Sequence, residues 1–122
     1  MTRRAKDEER VGRIHMEIIV DAYGPEEQAM GWYNYLADTL QFPFPARCVA
    51  RRVTSPLEPG DEVEVVEIAP AEECEHEMFV MIRWKSRQLA VPLMQLEGID
   101  VDEETQQAIE DWHYWVDRGY EM

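Results

Sequence analysis

An α+β fold is predicted by this sequence: two N-terminal helices, then a small SH3-like β-barrel, then a C-terminal helix packed on the barrel. Apolar residues recur at helical spacing near both ends of the chain. The middle instead alternates apolar and polar residues in short runs bounded by proline and glycine. The composition, 45% hydrophobic with four Trp and five Tyr among 122 residues, is typical of a folded protein rather than of a disordered acidic chain.

The length fits one domain. We expect residues 1–12 to form an N-terminal tail and residues 13–122 to form the domain. The tail is slightly basic and lacks the apolar core of a targeting signal, and no apolar run approaches the ~20 residues of a membrane span. Two cysteines do not make a disulfide framework, so we expect a cytoplasmic protein.

The first helix is predicted over residues 11–22, where apolar positions are spaced by three and four. A strand remains an alternative there because Ile18–Val20 is β-branched. Gly24 and Pro25 break the chain, and Pro25 suits the first position of a second helix that ends before Pro43. The apolar stripe of this second helix comprises Ala29, Trp32, Tyr33, Leu36 and Leu40.

Short strands follow from residue 46 onward, four or five in number. One helical turn is predicted over residues 92–96, after the fourth strand. Strands at this spacing are typical of a small closed barrel, which leaves no exposed edge for unwanted pairing. The four predicted strands are Ala46–Val53, Asp61–Ala69, Met78–Trp84 and Leu89–Leu93.

The last helix is predicted to begin after Asp102, a good N-cap, and to end near Arg118, with Gly119 as its stop. We expect Tyr114 to point outward, where it or Tyr120 is available as an anchor for a partner. The core face of this helix comprises Thr105, Ala108, Ile109, Trp112, Trp115 and Val116.

The net charge of −14 is concentrated in two stretches that contain no Lys or Arg. Residues 58–77 carry nine carboxylates and residues 97–117 carry eight more. Like charges at this density repel one another, which weakens the compact state and favours a monomer. The same repulsion excludes nucleic acid and anionic membranes as partners. We therefore expect cations, or the basic surface of another protein, as partners.

The loop between the second and third strands is the main candidate metal site, because it places four glutamates within six residues. Calcium takes about six to eight oxygen ligands and accepts flexible loops that offer carboxylates and carbonyls together. No Lys or Arg lies nearby in the sequence to neutralise these glutamates. A solvated acidic hairpin is the alternative. The candidate ligands are Glu72, Glu73, Glu75 and Glu77.

Asp38 is a second candidate ligand. It lies in the last turn of the predicted second helix, where free carbonyl groups already make the potential negative. A calcium ion that bridges the carboxylate and those carbonyls would relieve this conflict. The alternative is an exposed and slightly unfavourable aspartate.

A weaker site is predicted around Asp100 and Asp102. The segment begins like an EF-hand loop and has Asp111 at the twelfth position, but Thr105 stands where such a loop needs glycine. We therefore expect no EF-hand. Capping of the last helix is the alternative explanation for Asp102.

We expect no enzyme. The only serines, Ser55 and Ser86, have no neighbouring base, and no glycine-rich phosphate loop is present. Cys48, Cys74 and His76 lack the spacing of a zinc site. No catalytic residue and no organic cofactor is predicted.

A resemblance to a known family adds to these inferences. The segments that carry it are Glu17–Tyr23, Glu26–Tyr35, Phe42–Phe44, Ser55–Leu57, Cys74–Val80, Leu89–Leu96 and Gln107–Val116. In these segments the chain resembles the small acidic calcium-binding proteins of cyanobacteria, the CcbP family. The resemblance implies calcium binding on an acidic surface in the cytosol, without EF-hands, and a role in calcium signalling or buffering. Most matching residues are core or turn positions, so the ligands named above remain predictions from the residues.

The predicted function is that of a cytosolic Ca²⁺-binding protein, either a buffer or a sensor, that binds calcium through clustered carboxylates. The alternative is an acidic protein-interaction module that binds a basic partner surface. That alternative predicts a salt-sensitive complex and no specific response to an ion.

Overall fold

Helices from both ends of the chain pack with a central antiparallel sheet. A computed structural model describes residues 8–20 and 22–117. No helix among these residues is long and apolar enough to cross a membrane. The helices are α1 (Glu8–Arg13), which continues into a π-helical turn (Ile14–Ile18), α2 (Pro25–Thr39) and α3 (Glu103–Asp117). The strands are β1 (Phe44–Cys48), β2 (Glu62–Ile68), β3 (Phe79–Trp84), β4 (Arg87–Pro92) and β5 (Leu96–Gly98).

The first helical segment begins at Glu8, inside the stretch predicted as a tail. It widens after Arg13 into a π-helical turn, in which the amide of Ile19 donates to the carbonyl of Ile14 at 3.0 Å. Ile14, Ile18 and Ile19 are buried, as their helical spacing predicts. The helical interpretation of these residues is therefore the better one, and the strand alternative is wrong.

Close packing of α2 on the π-helical turn requires a glycine. A Cβ atom at position 31 would lie 2.4 Å from the carbonyl oxygen of Ile18, so only Gly31 permits this approach. Pro25 occupies the first turn of α2 as predicted. Trp32 and Leu36 are fully buried on the face that the apolar stripe predicts.

The five strands form one antiparallel sheet in the order β4-β3-β2-β1-β5. Within the described part of the chain, β4 pairs only with β3 and the three-residue β5 pairs only with β1, so these two strands are edges. The closed SH3-like barrel predicted from the strand spacing is therefore not confirmed, and the sheet is open. The predicted turn after the fourth strand is present as a 3₁₀ turn over Leu93–Gln95.

Strand β1 ends at Cys48 instead of Val53. The side-chain amide of Gln95 donates to the carbonyl of Ala50 at 2.9 Å, and the amide of Val49 donates to the carbonyl of Gln95. These bonds direct the chain out of the sheet immediately after β1.

An aromatic cluster joins α2 to α3. The ring of Trp32 lies 5.1 Å from that of Trp112 and 5.7 Å from that of Trp115, and all three are buried. The expectation that Tyr114 points outward is wrong, since its side chain is only 1% exposed and the guanidinium of Arg10 lies over its ring at 5.9 Å. α1 covers the face of α3 that carries Tyr114, which the apolar pattern of α3 alone predicted to be exposed. Arg118, Gly119 and Tyr120 lie outside the described residues.

Candidate metal centre

The start of α3 shows what Asp102 does in this structure. Its carboxylate accepts a hydrogen bond from the backbone amide of Thr105 at 3.3 Å, which is the N-cap geometry. The hydrogen bonds with Thr105 lower the pKa of Asp102. Asp100 is exposed and has a left-handed backbone with φ of 51°. Helix capping therefore accounts for Asp102, while its role as a metal ligand stays a prediction.

The acidic loop is organised around Cys74. Ala71–Cys74 forms a 3₁₀ turn, and the Cys74 sulfur accepts a hydrogen bond from the amide of Phe79 at 3.4 Å. Burial raises the pKa of this thiol, which keeps it neutral. The glutamates around the buried Cys74, namely Glu72, Glu73 and Glu75, are exposed.

Glu77 differs from the other acids of the loop. Arg52 donates to both of its carboxylate oxygens, at 2.7 and 2.8 Å. Glu77 therefore has a cationic partner, and the expectation that no Lys or Arg neutralises the glutamates of this loop is wrong for this residue. Arg52 lies far upstream in the sequence, and only the fold of the segment between β1 and β2 brings it here.

The exposed part of the loop faces the first half of α2 across a cleft of about 950 Å³. Glu72 and Glu75 line one side, and Glu26 and Glu27 line the other. The pKa of Tyr33 in this cleft is raised, mainly by burial and to a smaller extent by the electrostatic influence of Cys74 and Glu72. The cleft therefore collects carboxylates from two elements that are distant in sequence.

Asp38 lies in the last turn of α2 and is exposed. It is not among the residues that line the cleft, which extend along α2 only as far as Tyr33. The cleft therefore brings the acidic loop together with the first half of α2, and Asp38 is not part of it. Within residues 8–20 and 22–117, no three His, Cys, Asp or Glu side chains are arranged as a preformed metal cage.

The carbonyl groups beside Asp38 lack their usual helical partners. The amide of Gln41, which would continue the helix to the carbonyl of Ala37, donates instead to the hydroxyl of Thr105 at 3.0 Å. Pro43 has no N–H to offer the carbonyl of Thr39. The end of α2 therefore combines a carboxylate with main-chain oxygens, the mixed donor set that calcium uses.

A buried ionic cluster was missed by sequence reasoning. Asp111, which is fully buried in α3, accepts hydrogen bonds from Arg10 at 2.8 Å, from Arg13 at 2.7 Å and from the hydroxyl of Tyr35 at 3.0 Å. Burial raises the pKa of Asp111, and the charge of Arg13 opposes that rise. The only available signal was an aspartate on the apolar face of α3, next to Trp112.

Comparisons with known proteins agree with the donor chemistry. The model of the CcbP family, described as calcium binding, matches residues 12–116. The crystal structure of Anabaena CcbP is 44% identical in sequence, with a TM-score of 0.86 over 98% of each chain. A structure described as a calcium-binding protein in the calcium-binding form is 43% identical, with a TM-score of 0.86 over 96% of each chain. A comparison with curated protein sequences gives no match.

Proposed function

This chain belongs to the CcbP family of calcium-binding proteins, and we propose that it is a cytosolic Ca²⁺ buffer or sensor that holds calcium on exposed carboxylates instead of in an EF-hand. The continuous helix over Glu103–Asp117 supports this, because it occupies the residues that an EF-hand loop from Asp100 would need. Both cysteines are free and buried, which suits a reducing compartment. The charge of −14 favours a monomer.

The end of α2 is the observation that carries the proposal. An exposed carboxylate at a helix C-terminus is electrostatically unfavourable, and no Lys, Arg or His lies in the last turn of α2 to balance Asp38. The carbonyls of Ala37 and Thr39 lack the hydrogen bond from the amide four residues ahead, for the reasons given above. A divalent cation satisfies the carboxylate and the carbonyls together.

The acidic loop is the second proposed position. Glu72, Glu73 and Glu75 are exposed side chains suited to calcium, which tolerates irregular geometry. Glu77 joins them only if calcium displaces Arg52. Asp100 and Asp102 form the weakest position, because the cap at the start of α3 already engages Asp102.

Thermal melting in chelator, in calcium and in magnesium tests the proposal. A single site occupied at one hundred times its dissociation constant adds about 2.7 kcal/mol of stability. We expect calcium to raise the melting temperature and magnesium to raise it less, since magnesium demands stricter octahedral geometry. An unchanged melting temperature at millimolar calcium would contradict calcium binding.

Two variants with equal loss of charge locate the main site. Asp38→Asn is expected to remove most of the calcium-induced rise in melting temperature. Glu97→Gln removes an exposed acid of β5 that has no proposed role, and it is expected to leave that rise unchanged. Amide chemical shifts recorded during a calcium titration show whether the loop responds as well. Equal losses in both variants would mean a diffuse charge effect instead of a site at α2.

A further inference from the structure

The cleft between α2 and the acidic loop has an apolar floor that the calcium proposal does not use. Ala29, Met30 and Tyr33 of α2 line it, and Tyr23 lies at its edge. Tyr23 is 87% exposed and Met30 is 52% exposed, so two of the large apolar side chains left in solvent lie at this one concavity. Large apolar groups exposed together in a concave place are typical of an interaction site.

The rim of the cleft has one sign of charge. Glu26, Glu27, Glu72 and Glu75 line it together with His76, and among the described residues no Lys or Arg does. The carboxylate of Glu27 accepts a hydrogen bond from the amide of Tyr23 at 3.0 Å. This bond links the backbone of Tyr23, at the edge of the cleft, to α2. Among the described residues, the other three rim acids form no ion pair.

From this combination we propose that the cleft docks a basic amphipathic segment of a protein partner. Apolar side chains of such a segment would cover Met30 and Tyr33, while its Arg or Lys groups would meet the acidic rim. An arginine can also lie over the exposed ring of Tyr23. The volume of about 950 Å³ accommodates several side chains of one helical face.

Charge argues against other occupants. An anionic ligand is repelled by the rim, and a neutral apolar ligand would desolvate carboxylates without pairing them. A second copy of this chain brings a net charge of −14 to the same surface. This inference goes beyond calcium binding and does not depend on it.

The test uses the full chain in chelator, so that calcium binding does not decide its outcome. The probe is a labelled helical peptide of about 16 residues with Leu on one face and Arg on the other, and fluorescence anisotropy measures its dissociation constant. Its controls are a scrambled peptide of the same composition and a peptide with Glu in place of Arg. We expect the amphipathic peptide to bind at least about tenfold more tightly than either control.

Matched variants assign the surface. Met30→Ser and Tyr23→Ala are expected to weaken binding about tenfold, whereas Val53→Ser, at a fully exposed position that does not line the cleft, is expected to have no effect. Glu72→Gln with Glu75→Gln should weaken binding more than Glu103→Gln with Glu104→Gln. Three results would each overturn the proposal. The scrambled peptide could bind as tightly as the amphipathic one, or the two double glutamate variants could lose equal affinity for the peptide. The third is self-association through Met30 in sedimentation.

Discussion

Carboxylates in this protein occupy two contrasting environments. Asp111 is buried, and its carboxylate accepts hydrogen bonds from two guanidinium groups and a phenol at distances of 3.0 Å or less. Asp38 and the glutamates around Cys74 are exposed, and no described side chain neutralises them. The first group holds α1 against α3. The second group contains the carboxylates that we propose as calcium ligands.

The contrast shows that sequence distance is a poor guide to charge balance. Acids of β2 that have no Lys or Arg nearby in the sequence form ion pairs with arginines from other segments. Glu64 pairs with Arg83 at 2.7 Å, and Glu62 pairs with Arg47 at 3.6 Å. Glu77 meets Arg52 in the same way. Asp38, Glu72, Glu73 and Glu75 form no ion pair among the described residues, so folding leaves these proposed calcium positions unneutralised in a way that the density of acids along the chain did not show.

The largest expected effect comes from breaking the buried cluster. Asp111→Asn leaves Arg10 and Arg13 without their shared carboxylate, and we expect a loss of about 3 kcal/mol in unfolding free energy. This is the low end of the range for buried pairs, because both arginine side chains keep some exposure, 19% and 25%. Urea denaturation measures it.

The neighbouring Glu110→Gln is the control for this variant. Glu110 is 47% exposed and lies 3.6 Å from Arg10, so its loss should cost less than about 1 kcal/mol. Both variants are expected to keep the calcium-induced rise in melting temperature. Loss of that rise in Asp111→Asn would show that the two environments are coupled.

Tyr35 gives a smaller and pH-dependent effect. Tyr35→Phe removes a hydrogen bond to the Asp111 carboxylate and should cost about 1.5 kcal/mol at neutral pH. Burial, followed by the charge of Asp111, raises the pKa of Tyr35 well above 10.0. Its contribution is therefore fully present below pH 10 and is lost as the pH rises above 10.

Denaturation at pH 8, 10 and 11 checks this sign. The wild-type protein should lose stability over this range more steeply than Tyr35→Phe, and the difference between the two should shrink as the pH increases. A constant difference would mean that Tyr35 does not ionise in the way that its burial predicts.

The smallest expected effect on stability comes from Arg52→Gln, which converts a paired carboxylate, Glu77, into an unpaired one. The pair with Glu77 is partly exposed, so its removal should cost less than about 1 kcal/mol. The freed Glu77 carboxylate then resembles the other acids of the loop, and we expect calcium to shift the amide signals of this loop at lower concentration than in wild type. Arg51→Gln, which removes the exposed partner of Glu58, is the control and should leave the titration unchanged.

Much of the fold could be predicted from the sequence. The buried stripe of α2, the strands β2 to β4 and the capped start of α3 follow from local periodicity and from Pro25 and Asp102. Closure of the sheet could not be predicted, because it depends on whether β4 and β5 meet. The buried position of Tyr114 also depends on another element, since α1 has to cover it.

The sequence by itself determined that this protein is an acidic α+β protein with an excess of carboxylates and a family resemblance that implied calcium. Composition and local spacing carry that information, because they are properties of neighbouring residues. Only the tertiary structure decided which carboxylates are satisfied internally. Arg52 reaches Glu77, and Arg10 and Arg13 reach Asp111, across long stretches of chain, whereas Asp38 meets none of the described cations. Electrostatic interactions depend on distance in space, so the choice between an internal partner and an external ion is made only when the chain has folded.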